Sequence, residues 1–318
     1  MNFEKIERAY ELILENSQVI ENELKTHIYD ALIEQNSYYL GADGASEQVD
    51  KNNKELKSLQ LTAEEWRRAF QFVFIKASQT EKLQANHQFT PDSIGFILLF
   101  IIEELNPSKE IDLLEMGSGT GNLAQTLLNN SQKLIHYLGV EVDDLLIDLS
   151  ESIAEVVGSS ASFIQEDAVR PQILKESDVI ISDLPIGYYP NDEIASRYQV
   201  ASQKGHTYAH HLLMEQSLKY LKTNGLAIFL APANLLKSEQ SDLLKKWLKD
   251  YAQIRAVITL PPTLFGDPAN AKSIIVLQKQ GQDKGDTFVY PITDLQSAES
   301  VHSFIGQFKK WKLDNVFS

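Results

Sequence analysis

The chain predicts an α/β fold preceded by a small helical domain. Apolar residues recur at helical spacing up to about residue 38 and again from about Trp66 within the first 85 or so positions. From about residue 86, short apolar runs alternate with longer amphipathic ones, the pattern of strands alternating with helices. One of those runs, IDLLEM, passes directly into a glycine-rich turn and then an amphipathic stretch.

In the amino-terminal part, Phe3, Ile6, Tyr10, Ile13 and Leu14, then Ile20, Leu24, Ile28 and Leu32, predict two helices up to about residue 38. The stretch from Gly41 to about Gln60 has almost no large apolar residues and reads as a polar loop or linker. Thr62, with Glu65 three residues on, forms a capping-box pattern before Trp66, Phe70, Phe72, Val73 and Ile75. Strands are expected at 111–116, 135–142, 162–165, 179–183, 226–231, 254–260 and 273–277, and helices at 92–105, 123–129, 210–221 and 239–251. The tail, with Tyr290, Phe304, Phe308 and Trp311, reads as a strand and a helix packed on the core. The predicted domains are therefore 1–85, helical, and 86–318, α/β.

Composition narrows the function. The 318 residues contain no cysteine, which excludes disulfides, thiolate metal sites and cysteine nucleophiles, and the seven histidines offer no HExxH pattern. No metal is expected. No apolar run reaches the roughly 18 residues of a membrane helix, and MNFEKIERAY lacks a signal-peptide core, so a cytoplasmic protein without membrane association is expected. The balance of 29 basic and 44 acidic residues, −15, argues against gripping duplex nucleic acid unaided, because phosphate neutralisation supplies most of such affinity.

Gly117, Gly119 and Gly121 let the backbone turn tightly and approach a ligand at the carboxyl end of a strand. A dinucleotide fingerprint, GxGxxG, needs glycine at 122, where Asn122 stands. Glu141 ends the second strand 20 residues after Gly121, where a carboxylate can accept both hydroxyl hydrogens of a ribose. Val142 offers an apolar surface to an adenine ring, and Asp167 can accept from an exocyclic amine, although a valine there also suits a core and an aspartate also suits a helix cap.

The acidic strand end, GxGxG turn, second acidic strand end and third-strand aspartate together resemble the class I S-adenosylmethionine-dependent methyltransferases. QFTPDSIGFILL is similar to the motif preceding the first strand in DNA adenine-N6 methyltransferases and in the modification subunits of type I restriction systems. VIISDLPIGYYP resembles the segment that holds their catalytic Asn/Asp-Pro-Pro-Tyr/Phe tetrapeptide, read here as Asp183, Leu184, Pro185 and Ile186. HHLLMEQSLKYLKTNGLAIFLAPANLL and AVITLPPTLFGDPANAKSIIVLQK follow in the family's order, so the likeness covers about 86–280.

The resemblance implies a Rossmann-like class I fold with a mostly parallel seven-stranded sheet, and S-adenosyl-L-methionine as cofactor. It implies cofactor contacts from Phe89, Thr90, Pro91, Glu115, Gly117, Ser118, Gly119, Thr120, Gly121, Asn122, Glu141, Val142, Asp167, Ala168 and Asp183. The implied catalytic group is Asp183, Leu184, Pro185, Ile186 and Tyr188. The Asp183 side-chain oxygen and the Leu184 carbonyl would hold the hydrogens of an exocyclic amine, adenine N6 in DNA being the favoured acceptor. Ile186 departs from the aromatic that stacks on a flipped base, and Tyr188 or Tyr189 is then the source of a ring. That departure leaves an RNA base, a protein glutamine, or a cofactor-binding partner subunit without turnover as alternatives. His206, His210 and His211 are expected in solvent-facing or capping roles. With only about 40 residues after Lys279, no target-recognition domain is expected, so a nucleic-acid substrate implies a partner subunit or a homodimer.

Overall fold

The computed structural model describes residues 1–80, 90–266, 270–279 and 285–315. Its first four helices are α1 (Phe3–Leu24), α2 (Ile28–Leu40), α3 (Glu47–Ser58) and α4 (Ala63–Thr80). Asn2 caps α1 by accepting from the Lys5 amide, and α2 stops at Gly41, which takes the left-handed conformation. The capping box before α4 forms: the Thr62 amide donates to Glu65 Oε2 at 3.0 Å and the Glu65 amide to Thr62 Oγ1 at 3.3 Å.

Helix α3 corrects the expected polar linker. Its inward face is Val49, Asn52, Asn53 and Leu56, all buried, at the i, i+3, i+4, i+7 spacing of an amphipathic helix with two asparagines in the apolar places. They are tolerated because Asn53 Oδ1 accepts from Gln35 Nε2 (2.7 Å) and Asn16 Nδ2 (3.3 Å), and Asn52 Nδ2 donates to Asn16 Oδ1 (2.9 Å). These bonds satisfy the Asn53 oxygen and link Asn52 to Asn16, sparing those atoms the roughly 1–3 kcal/mol of an orphaned polar group, while Asn53 Nδ2 is buried without a hydrogen-bond partner among the described residues.

The strands are β1 (Glu110–Met116), β2 (Leu134–Glu141), β3 (Ser162–Gln165), β4 (Ser177–Asp183), β5 (Leu221–Pro232), β6 (Ala252–Thr259), β7 (Lys272–Lys279) and β8 (Phe288–Pro291). They form one sheet in the order β3-β2-β1-β4-β5-β7-β6-β8. The sheet has eight strands where seven were expected, because β8 pairs parallel with β6. β7 runs antiparallel to both β5 and β6. The longer helices between and after the strands are α5 (Asp92–Leu105), α6 (Asn122–Asn130), α7 (Asp144–Val157), α9 (Ala209–Lys219), α10 (Ser241–Tyr251) and α11 (Ala298–Asp314), with a single turn, α8 (Asp192–Ala195), before α9.

Contacts divide the chain into two compact units. The first comprises Met1–Gly95, Ser118–Ser131 and Tyr137–Gln165. In its core, Ile6, Leu12, Ile13, Leu32, Trp66, Phe70 and Phe74 of the amino-terminal helices pack with Leu146, Leu149 and Ile153 of α7. Arg67, on α4, is buried and grips Glu64 and the Asp92 carboxylate that opens α5. The second unit comprises Phe96–Gly117, Gln132–His136 and Glu166–Ser318. Its strands β4, β5 and β7 are almost wholly apolar inside, and Phe100, Phe288, Phe304 and Phe308 form an aromatic cluster that fastens α11. Each such edge-on or tilted pair adds about 0.5–1.5 kcal/mol beyond simple burial.

Candidate active site

The glycine turn follows β1 directly. Gly117 and Gly119 have φ of 79° and 55°, and a Cβ built on either meets nothing within 4 Å. The backbone conformation, not crowding, demands glycine there, and it leaves one face of the turn bare. The Ser118 amide donates to the Val140 carbonyl at 3.0 Å, tying the turn to β2. Gly139 makes that approach possible: a Cβ there would lie 2.7 Å from Phe163 and 2.8 Å from Ser118.

Glu141 is buried and fixed by three backbone donors. Oε2 accepts from the Gly119 amide at 2.9 Å, and Oε1 from the Val142 and Asp143 amides at 2.8 and 3.1 Å. Each carboxylate oxygen keeps further acceptor capacity, so the group is oriented without being exhausted. Beside it the Val142 side chain is 63% exposed, an apolar surface that folding has not covered. Asn122 Nδ2 donates to the Thr90 carbonyl at 3.3 Å, and the Pro91 carbonyl accepts from Ile94 and Gly95, starting α5. Thr90, Ser118 and Thr120 are buried, and so is Glu115 near the end of β1, which has partners of its own. Phe89 lies outside the described residues.

In the second unit, Asp183 is the last residue of β4, paired with Leu230, and the Leu184 amide extends the ladder by donating to the Leu230 carbonyl at 3.0 Å. Leu184 is fully buried, while Pro185 and Ile186 are half-buried. The Lys272 ammonium donates to Asp183 Oδ1, and to the Leu184 carbonyl at 3.0 Å. His210 Nδ1 lies 3.2 Å from the Pro185 carbonyl. Since a carbonyl only accepts, Nδ1 carries the proton. Burial pushes the His210 imidazole down to about 4, the bond to Pro185 only partly opposing it.

The residues after Pro185 separate into two environments. Tyr188 is half-exposed and stacks on Tyr208 (centroids 4.8 Å apart, planes 7° apart), which stacks in turn on His210 at 4.9 Å. Tyr188 Oη donates to Glu239 and the Tyr208 amide to Gln240, so the turn before α10 fixes this column. Tyr189 points elsewhere: it is buried, with its hydroxyl donating to Asp167 Oδ2 at 2.5 Å. Of the two tyrosines considered, only Tyr188 has an available ring. Asp167 Oδ1 accepts from the Val169 amide at 3.0 Å, so this aspartate also holds its own turn, in which Ala168 is buried.

The histidine expectation needs correction. His206 is exposed and meets Asp192 at 3.0 Å, but His210 and His211 are buried in α9 and stack edge-on. Their adjacency hid this, because α9 is buried nearly all round and has no polar face for either ring to occupy. Lys272, Gly139 and Tyr208 are functional candidates that sequence reasoning missed. Among the described residues no helix is long and apolar enough to cross a membrane, and no group of three or more metal-binding side chains occurs.

The N-6 DNA methylase family profile matches residues 64–309. An uncharacterized protein of Bacillus subtilis (strain 168), YtxK, is 34% identical over 325 aligned positions, with 98% of each chain covered. A crystal structure of a candidate class I S-adenosylmethionine-dependent methyltransferase from Listeria monocytogenes superposes with a TM-score of 0.90 at 28% identity, over 98% of this chain and 99% of that one. A type I restriction-modification methyltransferase subunit from Streptococcus thermophilus shares the fold, with a TM-score of 0.66 at 15% identity over 83% of this chain and 62% of that one. The chain belongs to the N-6 DNA methylase family.

Proposed function

We propose that the protein is an S-adenosylmethionine-dependent methyltransferase acting on an exocyclic amine, with adenine N6 in DNA the favoured acceptor. The observation that carries this reading is the convergence of Asp183 Oδ1 and the Leu184 carbonyl on a single nitrogen, at present that of Lys272. Two acceptors so placed can take both hydrogens of an amine and turn its lone pair toward a methyl donor.

The residues fit the cofactor. The bare face at Gly117 and Gly119 accommodates a closely approaching ligand, Glu141 is held ready for a ribose, and the exposed Val142 suits an adenine face. Phe89, Thr90, Pro91, Glu115, Ser118, Thr120, Gly121, Asn122, Asp167 and Ala168 complete the proposed contacts. When bound, S-adenosylmethionine supplies a methyl activated by its sulfonium. The chain contributes position: Asp183 and Leu184 grip the amine, His210 holds the Pro185 carbonyl, and Tyr188 offers the ring that Ile186 does not. The helical part, 1–85, and the catalytic part, 86–318, are the proposed domains, and a partner subunit or second copy is proposed to supply target recognition.

The second reading is a cofactor-holding partner subunit without turnover, favoured by Ile186 and by the lysine on Asp183. Transfer of tritiated methyl into DNA, RNA and protein of a lysate lacking the gene separates the two. Label in DNA as N6-methyladenine, lost in Asp183→Ala while cofactor affinity stays within a few-fold, is the expected result. Label in RNA or protein replaces the substrate; no label despite cofactor binding favours the partner reading; activity retained by Asp183→Ala refutes the assigned catalytic group.

A further inference from the structure

We propose that Lys272 is an internal gate on the acceptor pair: its ammonium stands where the substrate amine must go, and methyl transfer proceeds only after an incoming amine displaces it. This rests on the amine-transfer reading above. Lys272 is the first residue of β7, 89 positions from Asp183, and the sheet explains how the two meet. Asp183 is level with Leu230 on β5, and Lys272 is level with Pro232, two residues further on. Because β7 runs antiparallel to β5, its start lies at the edge where β4 ends.

The ammonium donates to Asp183 Oδ1 and to the Leu184 carbonyl at 3.0 Å, the same two oxygens assigned to the amine hydrogens. Each oxygen can accept a further hydrogen bond, but the position between them, from which one nitrogen reaches both, is filled by the ammonium, so the lysine and the substrate amine compete for it. A protonated lysine has no lone pair and does not itself take a methyl. It blocks without reacting. The two side chains are only 15% and 21% exposed, so water does little to weaken the contact.

The lysine stem is flexible and can withdraw. A small neutral amine gives up the ion pair with Asp183 for hydrogen bonds alone and fails to displace it. An amine carried on a flat ring adds stacking to its hydrogen bonds, so the gate selects ring-bound amines over free ones.

Lys272→Met keeps the length and removes the donor; Lys272→Arg keeps the charge. The kinetic readout is kcat/KM for methyl transfer into methyl-deficient DNA and an adenine-containing oligonucleotide. Lys272→Met is expected to raise kcat/KM roughly 10- to 100-fold, the worth of charge-assisted hydrogen bonds, mainly by lowering the acceptor KM, while Lys272→Arg stays near wild type. A second readout needs no turnover: reductive methylation with formaldehyde, followed by peptide mass spectrometry, should label Lys272 at least tenfold more slowly than the exposed Lys249. Asp183→Asn should remove that protection. Activity lost only in Lys272→Met, or unchanged there, overturns the gate and leaves the amine-transfer reading standing, as does labelling of Lys272 as fast as Lys249. Inactivity of wild type and Lys272→Met alike, with cofactor still bound, overturns the amine-transfer reading and the gate together.

Discussion

Replacing Arg67 by methionine tests how the amino-terminal helices support the Thr90-Pro91 segment. The guanidinium is 1% exposed and donates to Glu64 at 2.7 and 2.6 Å and to Asp92 at 2.8 and 3.0 Å. Breaking a buried ion pair by removing one partner costs about 3–5 kcal/mol. Arg68 still reaches both carboxylates and Gln71 still donates to Asp92, which puts Arg67→Met at the lower end, about 3 kcal/mol. At roughly 2 °C per kcal/mol for a chain of this size, the Tm falls by about 6 °C. Burial alone would raise the Glu64 and Asp92 carboxyls, but the hydrogen bonds from Arg67 hold both below the usual carboxylate range. Depressed carboxyls contribute stability that is present above their unfolded pKa values and lost as pH falls through the folded ones. Wild type should therefore lose stability steeply below about pH 4.5, and Arg67→Met less steeply, in circular-dichroism melts at stepped pH. Arg67→Met within 1 kcal/mol of wild type at neutral pH, or additive losses in a double variant with Asp92→Asn, would refute the reasoning.

Gly139→Ala pushes a methyl against Phe163 and Ser118 and should cost about 1–3 kcal/mol by overpacking while weakening S-adenosylmethionine binding in calorimetry. Gly306→Ala, on an open face of α11, should be neutral or stabilise by up to about 1 kcal/mol; equal effects at the two sites would discount the close approach. His210 should remain unprotonated in NMR titrations until about pH 4, its folded pKa being depressed below the usual 6.5. Its contribution is thus complete above pH 6.5 and lost as pH falls toward 4, so His210→Phe should lose less stability across that window than wild type. A steeper loss in the variant contradicts the buried neutral ring.

What was legible in the sequence was local. The Thr62–Glu65 box and the glycine turn act through neighbours in the chain and lie where predicted; Glu141 lies at the predicted strand end, held by its own neighbours Val142 and Asp143 and, across 22 positions, by Gly119. Helix α3 was not legible, because Asn52 and Asn53 stand where an apolar stripe signals a helix and their partners Asn16 and Gln35 lie at least 18 positions away. The eighth strand was foreshadowed only as a strand in the tail; four residues, Phe288–Pro291, carry little pattern to assign them to a sheet edge. Tyr188 and Tyr189 are adjacent aromatic residues in the sequence, and only the Asp167 contact across 22 positions distinguishes them.

The same difference in range separates the two halves of the proposed chemistry. The residues proposed to hold the cofactor lie on the glycine turn after β1 and at the end of β2, close together along the chain, where one misplaced residue alters the backbone itself. The acceptor side is assembled from β4, the Tyr208–His211 segment, the turn before α10 and the first residue of β7. Apart from the backbone bridge that joins Tyr188 to Tyr208, those contributors meet through side chains, so a side chain among them can change while the strand ladder stays intact. In the proposed site β4 supplies the acceptor pair and β7 the lysine that sits on it. A single substitution at position 272 therefore can separate an open methyltransferase from a closed one without moving a strand, and the cofactor should bind equally well to both. Equal S-adenosylmethionine affinity of wild type and Lys272→Met, measured beside their transfer rates, is the expected mark of that independence; a parallel change in both would mean that the two halves are coupled.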